Sequence, residues 1–173
     1  MLRYFLIFFL LFLSFHSNAE TKDKIIQNLK EINNLDFNFE QNINGKIENG
    51  TCTVEYPKKI FCVYAESNNK ILVSNGKSLV IKTRTSYYRY PIEKTPLNLI
   101  LDKNYLISKI NKLSGRIIDK KLINFTIFEK HSEINIFFDN QTYDLIGWQN
   151  KDIYQNFNIT FLSLISKNRI LPN

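Results

Sequence analysis

The spacing of hydrophobic and polar residues changes once near the start of the chain. Between Lys22 and Asn33, apolar residues recur at intervals of three and four, which predicts an amphipathic helix. From there the period falls to two, because Leu35, Phe37 and Phe39 alternate with polar residues, and this predicts a β-strand. The chain is therefore expected to enter a sheet directly after its first helix.

Turn signals follow at intervals of about 8–12 residues, the spacing expected of an antiparallel meander. The segments between them are rich in Val, Ile, Phe and Tyr, which favour β-structure. The predicted turns are Asn44–Gly45, Asn49–Gly50, Pro57–Lys58, Ser67–Asn69, Asn75–Gly76 and Thr85–Ser86. The later predicted strands are Gly115–Asp119, Leu122–Lys130, Glu133–Asp139, Tyr143–Asn150 and Asn156–Ser163. The pattern favours one curved, largely antiparallel sheet.

A leucine-rich segment interrupts the strands. Thr95 is its predicted N-cap, Pro96 its first helical residue, and apolar residues continue to Leu101. This predicts a short helix crossing the sheet, in a single mainly β domain (residues 20–173) with two or three helices on the concave face. A strongly curved sheet with a crossing helix can enclose more apolar volume than its own side chains fill, and a ligand cavity arises in this way.

The first 19 residues form a hydrophobic leader. An uninterrupted apolar block runs from Tyr4 to Leu13, and Ser17 and Ala19 occupy the small positions that cleavage requires. These features predict a signal peptide over residues 1–19 and export of the rest. An uncleaved membrane anchor is the alternative, but it would need about 20 apolar residues, and polar residues begin at Ser14.

The charge of the chain is positive. The formal net charge is +7, and without Arg3, the one charged side chain in the leader, it is +6. This excess favours encounter with acidic surfaces. The lysines are scattered singly, without the clustered basic face that follows a phosphate backbone, so nucleic acid is not the expected partner.

Cys52 and Cys62 are the two cysteines of the chain, and export places them in an oxidising compartment. They flank the turn at Pro57, so paired strands would bring them nearly opposite one another. A disulfide is the first interpretation and a pair of buried thiols the second, since a register error of one residue would point the side chains to opposite faces. Either role is structural.

Catalytic motifs are weak throughout. His131 lies in a predicted polar turn and has no Gly-x-Ser-x-Gly element to accompany it. Gly76-Lys77-Ser78 imitates the end of a phosphate loop, but Ile71 stands where the loop needs its first glycine. No run of His, Cys, Asp and Glu has metal-ligand spacing. Neither an enzyme nor a cofactor is expected.

Five segments then carry family-type motifs in a fixed order. They are Phe39–Gln41, Gly50–Phe61 with its proline turn, Ile71–Ile81 around Asn75-Gly76-Lys77, Tyr90–Leu101, and Gly147–Phe161. Together they resemble the LolA family of periplasmic carriers of outer-membrane lipoproteins, and the last resembles the pattern of alphaproteobacterial members. The resemblance covers nearly all of the chain after the leader.

The resemblance implies a strongly curved, incomplete antiparallel β-barrel with a helical lid over a hydrophobic cavity. It implies a periplasmic chaperone that binds the acyl chains of lipoproteins released from the inner membrane and delivers them to an outer-membrane acceptor. The implied partners are acylated lipoproteins, an inner-membrane lipoprotein-releasing ABC transporter and an outer-membrane lipoprotein acceptor. The carrier is expected to be a monomer.

The resemblance also suggests site residues. Phe37, Phe39, Ile60, Leu72, Val80 and Tyr88 are expected to line the cavity, and Ile25, Leu29, Ile32, Tyr56, Leu97, Leu99, Ile100 and Leu101 to form the lid. Tyr56 stands where the family often has an arginine that helps to hold the lid, so that role does not carry over. A hydrogen bond from the Tyr56 hydroxyl, or replacement by Lys58 or Lys59, is the alternative.

Two other functions stay open at this point. The same fold occurs in periplasmic sensor domains that bind a regulatory protein, although such proteins usually carry a second domain. An enzyme acting on lipid or glycan is the other alternative, and it would need acid and base groups converging inside the cavity.

Overall fold

The described part of the chain folds into eleven strands and three helices. The computed structural model describes residues 20–65, 68–129, 132–152, 154 and 156–170. The strands are β1 (Asn34–Ile43), β2 (Lys46–Glu55), β3 (Lys59–Tyr64), β4 (Ile71–Asn75), β5 (Ser78–Lys82), β6 (Tyr87–Pro91), β7 (Arg116–Ile118), β8 (Leu122–Glu129), β9 (Ser132–Asp139), β10 (Leu145–Asp152) and β11 (Phe157–Lys167). The helices are α1 (20–31), α2 (Leu97–Leu101) and α3 (Lys103–Asn111), and a 3-10 turn (Ile92–Lys94) precedes α2.

All the strands belong to one antiparallel sheet that does not close. Its order is β6-β5-β4-β3-β2-β1-β11-β10-β9-β8-β7, so β1 and β11 pair at the centre while β6 and β7 form the two edges. The segment that joins those edges contains the 3-10 turn, α2 and α3. It must therefore run across the sheet from the β6 edge to the β7 edge. The predicted mainly β fold, an open and curved sheet covered by a helical lid, is confirmed.

Helix α3 was missing from the predicted elements. Its apolar residues Leu106, Ile107 and Ile110 are buried at helical spacing, and the Asp102 side chain accepts a hydrogen bond from the Tyr105 backbone N–H (3.1 Å). Asp102 is thus the N-cap of α3 and separates it from α2. The signal was present in the sequence as an Asp followed by an apolar face of this period.

Two local predictions were wrong. Asn49–Gly50 is not a turn, because Gly50 pairs with Phe39 and Tyr64 inside the sheet. A Cβ on Gly50 would lie 2.2 Å from the carbonyl oxygen of Val63, so the glycine permits a close approach of neighbouring atoms. Thr95 does not cap α2: its hydroxyl donates to the carbonyl of Ile92 (2.7 Å), and Pro96 is the N-cap.

The buried apolar side chains form two clusters, which we call the packed cluster and the cavity cluster. The packed cluster consists of Ile25, Ile26, Leu29, Leu99, Ile100, Leu106, Ile107, Ile110, Ile123, Phe125, Ile127, Ile134, Ile136, Phe138, Leu145 and Trp148. The cavity cluster consists of Ile32, Leu35, Phe37, Phe39, Cys52, Val54, Ile60, Cys62, Tyr64, Leu72, Leu79, Ile92 and Leu101. Leu97 and Leu162 contact both clusters, so they join the two halves of the core.

Three predictions concern residues outside the described part of the chain. They are the signal peptide at residues 1–19, the polar turn containing His131, and the turn Ser67–Asn69, of which Ser67 lies outside the described residues. Within the described residues, no helix combines the length and the apolar character needed to cross a membrane.

Candidate functional site

The cavity cluster surrounds a small internal space on the inner face of β1–β4. Successive residues of a strand point to opposite faces, so every second side chain is directed towards the helices. The space measures about 40 Å³. It is lined by Phe37, Phe39, Gln41, Cys52, Ile60, Cys62, Tyr64, Leu72, Leu97, Trp148 and Thr160. Ligand pockets usually measure about 300–1,000 Å³, so in this structure the site is almost filled by its own side chains.

Four of the six strand residues expected at the cavity line it, namely Phe37, Phe39, Ile60 and Leu72. Val80 does not, and its inward orientation was a wrong prediction. Ser74 lies opposite Leu79 and is buried on the inner face, so Leu79 points inward and Val80 points outward. Three consecutive apolar residues in β5 gave the sequence no alternation from which to choose the face.

Tyr88 is on the inner face but away from the cavity. It pairs with Ile81, which packs against the cavity cluster, yet its own side chain is 51% exposed. The reason is its place in β6, the edge strand, where a neighbour is missing on one side. Tyr88 lines the open end of the sheet together with Tyr90 and Lys70.

The eight expected lid residues divide between the two clusters. Ile25, Leu29, Leu99 and Ile100 belong to the packed cluster, and Ile32 and Leu101 belong to the cavity cluster. Tyr56 is partly buried and packs against the cavity cluster. Leu97 is the one of the eight that lines the cavity itself. Helix α2 therefore places one side chain over the space and anchors the others in the surrounding core.

The turn between β2 and β3 holds the junction of α2 and α3. The backbone N–H of Lys58 donates to the carbonyl oxygen of Leu101, the last residue of α2 (2.8 Å). The ammonium of the same residue lies 3.1 Å from a carboxylate oxygen of Asp102. Because Asp102 also caps α3, this one contact restrains both helices. We call the contacts of Lys58 the latch.

A second lysine ties α3 to the end of α1. The Lys103 ammonium donates to the carbonyl oxygens of Ile32 (2.7 Å) and Lys30 (3.1 Å), and it lies 5.5 Å from the centre of the Tyr56 ring. The Tyr56 backbone N–H donates to Asn33 (2.9 Å). Burial raises the pKa of the Tyr56 hydroxyl above its ordinary value, so this side chain stays neutral. Tyr56 thus bonds to Asn33 through its backbone N–H and faces the Lys103 ammonium with its ring.

A disulfide joins Cys52 and Cys62 at the wall of the cavity. The two residues are direct partners in the β2–β3 register, and both point inward. The bridge closes one hairpin and presents sulfur, an apolar and polarisable surface, to the space.

Several residues of the site were not expected at the cavity, although Gln41, Trp148 and Thr160 lie in the segments that carry the family-type motifs. Trp148, Thr160, Gln41 and Tyr64 reach the cavity from β10, β11, β1 and β3 because the sheet brings these strands together. Tyr64 is the one side chain of the described lining that carries a titratable proton, and burial raises its pKa to about 12. Within the described residues, no group of His, Cys, Asp and Glu could hold a metal ion.

A match to a family model establishes the family of this chain. The model described as the outer membrane lipoprotein carrier protein LolA matches residues 30–173. The chain belongs to the LolA family. This agrees with the resemblance that the motifs indicated, and it makes the fold that of a family of carriers.

Solved structures of related shape are distant in sequence. A LolA superfamily protein from Nitrosomonas europaea has 8% identity and a TM-score of 0.44, and the match covers 87% of this chain and 94% of that one. LprF from Mycobacterium bovis has 13% identity and a TM-score of 0.46, covering 90% and 97%. The lipoprotein LppX from Mycobacterium tuberculosis has 11% identity and a TM-score of 0.46, covering 90% and 98%. No curated protein matches the chain.

Proposed function

We propose that this LolA-family chain is a periplasmic chaperone that binds the acyl chains of lipoproteins. It takes them from an inner-membrane lipoprotein-releasing ABC transporter and delivers them to an outer-membrane acceptor. The observation that carries the proposal is the apolar space under α2, walled by the cavity cluster and occupied in part by Leu97. Membership of a family described as lipoprotein carriers supports the same role.

The energetics of the task agree with this arrangement. An acyl chain of about 15 methylenes costs about 12 kcal/mol to expose to water, at about 0.8 kcal/mol for each methylene. A carrier must therefore shield the chain, yet it must also release it without nucleotide energy. A space of about 40 Å³ cannot hold such a chain while α2 stays in place. The ligand must displace α2, and that displacement lowers its net affinity and leaves a stronger acceptor able to take it.

The latch sets how much displacement costs. The side chains of Lys58 and Asp102 are partly exposed, so their ion pair is weakened by water and stabilises the closed state only modestly. The hydrogen bond from the Lys58 backbone to Leu101 adds to it. We infer that opening breaks these contacts first and swings α2 away from β1–β4.

Two measurements test the proposal together. Native mass spectrometry of the processed protein purified from periplasm should find a one-to-one complex with an acylated protein. Spheroplasts containing labelled lipoprotein should release the label into the soluble fraction when the chain is added, and spheroplasts with an inactive transporter should not. Failure of both, with a folded protein and an active transporter, would overturn carriage and favour a sensor domain that binds a regulatory protein.

A further inference from the structure

A band of polar side chains borders the cavity on its inner face, and we call it the collar: Gln41, Tyr64, Asn150, Asn158 and Thr160. The amide nitrogen of Gln41 donates to Asn158 (3.0 Å) and to the hydroxyl of Thr160 (3.2 Å). The Tyr64 hydroxyl donates to the amide oxygen of Gln41 (3.3 Å). The collar thus crosses from β3 through β1 to β11.

Three collar residues, Gln41, Tyr64 and Thr160, line the cavity, and the other two lie just beyond it along β10 and β11. Thr160 and Trp148 are direct partners in the β10–β11 register, and both line the cavity. Asn158 and Asn150 are the next partners on the same face, because two residues separate side chains of one face. An acyl chain that fills the space between Phe37 and Trp148 would bring whatever its end is attached to into the collar.

Asn150 has an unused hydrogen-bond acceptor. Its amide oxygen is buried and has no hydrogen-bond partner in the described structure. Leaving a buried polar atom unpaired costs about 1–3 kcal/mol, so such an atom calls for an explanation. An acceptor at this place is complemented by an N–H or O–H donor of a ligand.

On the opposite side of the collar, a buried carboxylate is already paired. Glu48 pairs with Gln41 across β1 and β2, and its buried carboxylate lies 2.8 Å from the Lys46 ammonium and 2.5 Å from that of Lys70. Lys70 also lies 4.0 Å from the centre of the Tyr64 ring. Among the collar residues, Asn150 is therefore the one with an unpaired buried acceptor in the described structure.

We propose that the collar recognises the amide that links an acyl chain to a peptide, with the amide N–H donating to Asn150. The inference rests on the proposed acyl-chain binding and adds a selection step to it: the site prefers an acyl chain attached through an amide to a chain that lacks the donor. The side-chain N–H of Gln41 and the hydroxyl of Thr160 can donate to the amide carbonyl by exchange of their mutual hydrogen bond.

Two probes with the same chain test the collar. N-palmitoyl-glycine amide carries the linking N–H, whereas methyl palmitate lacks it. Titration calorimetry on the purified chain should show tighter binding of the amide probe by about two- to tenfold, the range of one net hydrogen bond. In Asn150→Leu this preference should fall to about one because the acceptor oxygen is lost, while the methyl palmitate affinity persists because the apolar lining is unchanged. Replacing an unpaired amide by an apolar side chain of similar size should preserve folding, which thermal unfolding checks.

Gln149→Leu is the matched control. Gln149 neighbours Asn150 in β10 but faces the other side of the sheet, where it lies near Asn135 and Arg116, so the preference should persist. Gln41→Leu breaks the collar from β1 and should also reduce the preference. Equal binding of the two probes, or a preference unchanged in Asn150→Leu, would overturn the collar alone. Failure of both probes to bind would overturn acyl-chain binding as a whole.

Discussion

The two clusters of the core differ in how the helices pack against them. In the packed cluster, α1 and α3 insert Ile25, Leu106 and Ile110 against β8–β10, and all three side chains are fully buried. In the cavity cluster, the sheet faces only the short helix α2, the end of α1 and the 3-10 turn, and a space remains under Leu97. One half of the sheet is covered by two longer helices, and the other by the five-residue helix α2, which is anchored through Leu99, Ile100 and Leu101.

The packed half can therefore supply stability, while the proposed ligand exchange takes place in the cavity half. Long helices with continuous apolar faces bury enough surface to stabilise one half by themselves. A five-residue helix cannot, so its position depends on its buried side chains Leu99, Ile100 and Leu101, on the latch and on its two neighbours. The proposed carriage therefore requires only the cavity half to open, while the packed half stays folded.

The largest expected effect follows from damage to the packed half. Phe138→Ala removes a fully buried ring that packs edge-on against Phe125, with ring centres 6.0 Å apart. We expect a loss of about 3–5 kcal/mol in the free energy of unfolding, measured by urea denaturation. Palmitate binding by the fraction still folded should be unchanged. A gain in binding would contradict the division between the two halves.

The disulfide ranks second. Replacing both Cys52 and Cys62 by Ala should reduce the free energy of unfolding by about 2–3 kcal/mol, since the bridge closes a short loop of the unfolded chain. The double variant is compared with the oxidised parent under identical denaturant conditions. If it unfolds at the same denaturant concentration as the parent, the bridge does not stabilise the cavity half.

Truncation of Leu97 should distinguish the cavity half from the packed half most clearly. Leu97→Ala removes a half-buried side chain, so we expect a loss of only about 1–2 kcal/mol in stability. Acyl-chain affinity should rise because the ligand has less to displace. Calorimetric titration with methyl palmitate measures the change, and weaker binding in this variant would mean that Leu97 contacts the ligand instead of competing with it.

Much of the fold could be predicted from periodicity, because both periods are clear in this chain. The change of period at Leu35 locates the entry into β1, and hairpin turns locate β8–β11 closely. Face assignment failed at Val80, where three apolar residues in a row hide the alternation. Gly50 was misread because an Asn-Gly pair can mark a turn or a close contact between strands, and the local sequence is the same in both cases.

The site was less predictable than the fold because its contacts join distant segments. Lys58 meets Asp102, and Lys103 reaches the carbonyl of Ile32, only after the helices have crossed the sheet. Local patterns say nothing about such pairs. The role proposed for Asn150 could not be predicted for the same reason, because only the folded structure places its unpaired oxygen beside the cavity.

The latch should affect opening more than stability. Lys58→Met removes its ion pair with Asp102 but keeps the backbone hydrogen bond, so stability should fall by less than about 1 kcal/mol. The rate of palmitate uptake, followed by stopped-flow fluorescence, should increase. Lys59→Met is the control, because Lys59 pairs with Glu55 in the neighbouring strand and touches neither helix terminus. Equal rates in the two variants would exclude Lys58 as the latch.

The smallest effect is expected at the boundary between the halves, where Asp36 of β1 bonds to both neighbouring strands. The Thr53 hydroxyl from β2 (2.6 Å) lowers the pKa of Asp36 most, and Ser166 of β11 and Arg169 lower it further. A carboxyl whose pKa is lowered by folding stabilises the protein above its ordinary pKa, about 3.9, and loses that contribution as the pH falls through the lowered value. Asp36→Asn should therefore destabilise the chain at pH 7 by a small amount and flatten the loss of stability below about pH 4. Urea denaturation at pH 7 and pH 3 measures both. If the dependence of the unfolding free energy on pH is unchanged in Asp36→Asn, the boundary between the halves is stabilised by backbone pairing alone.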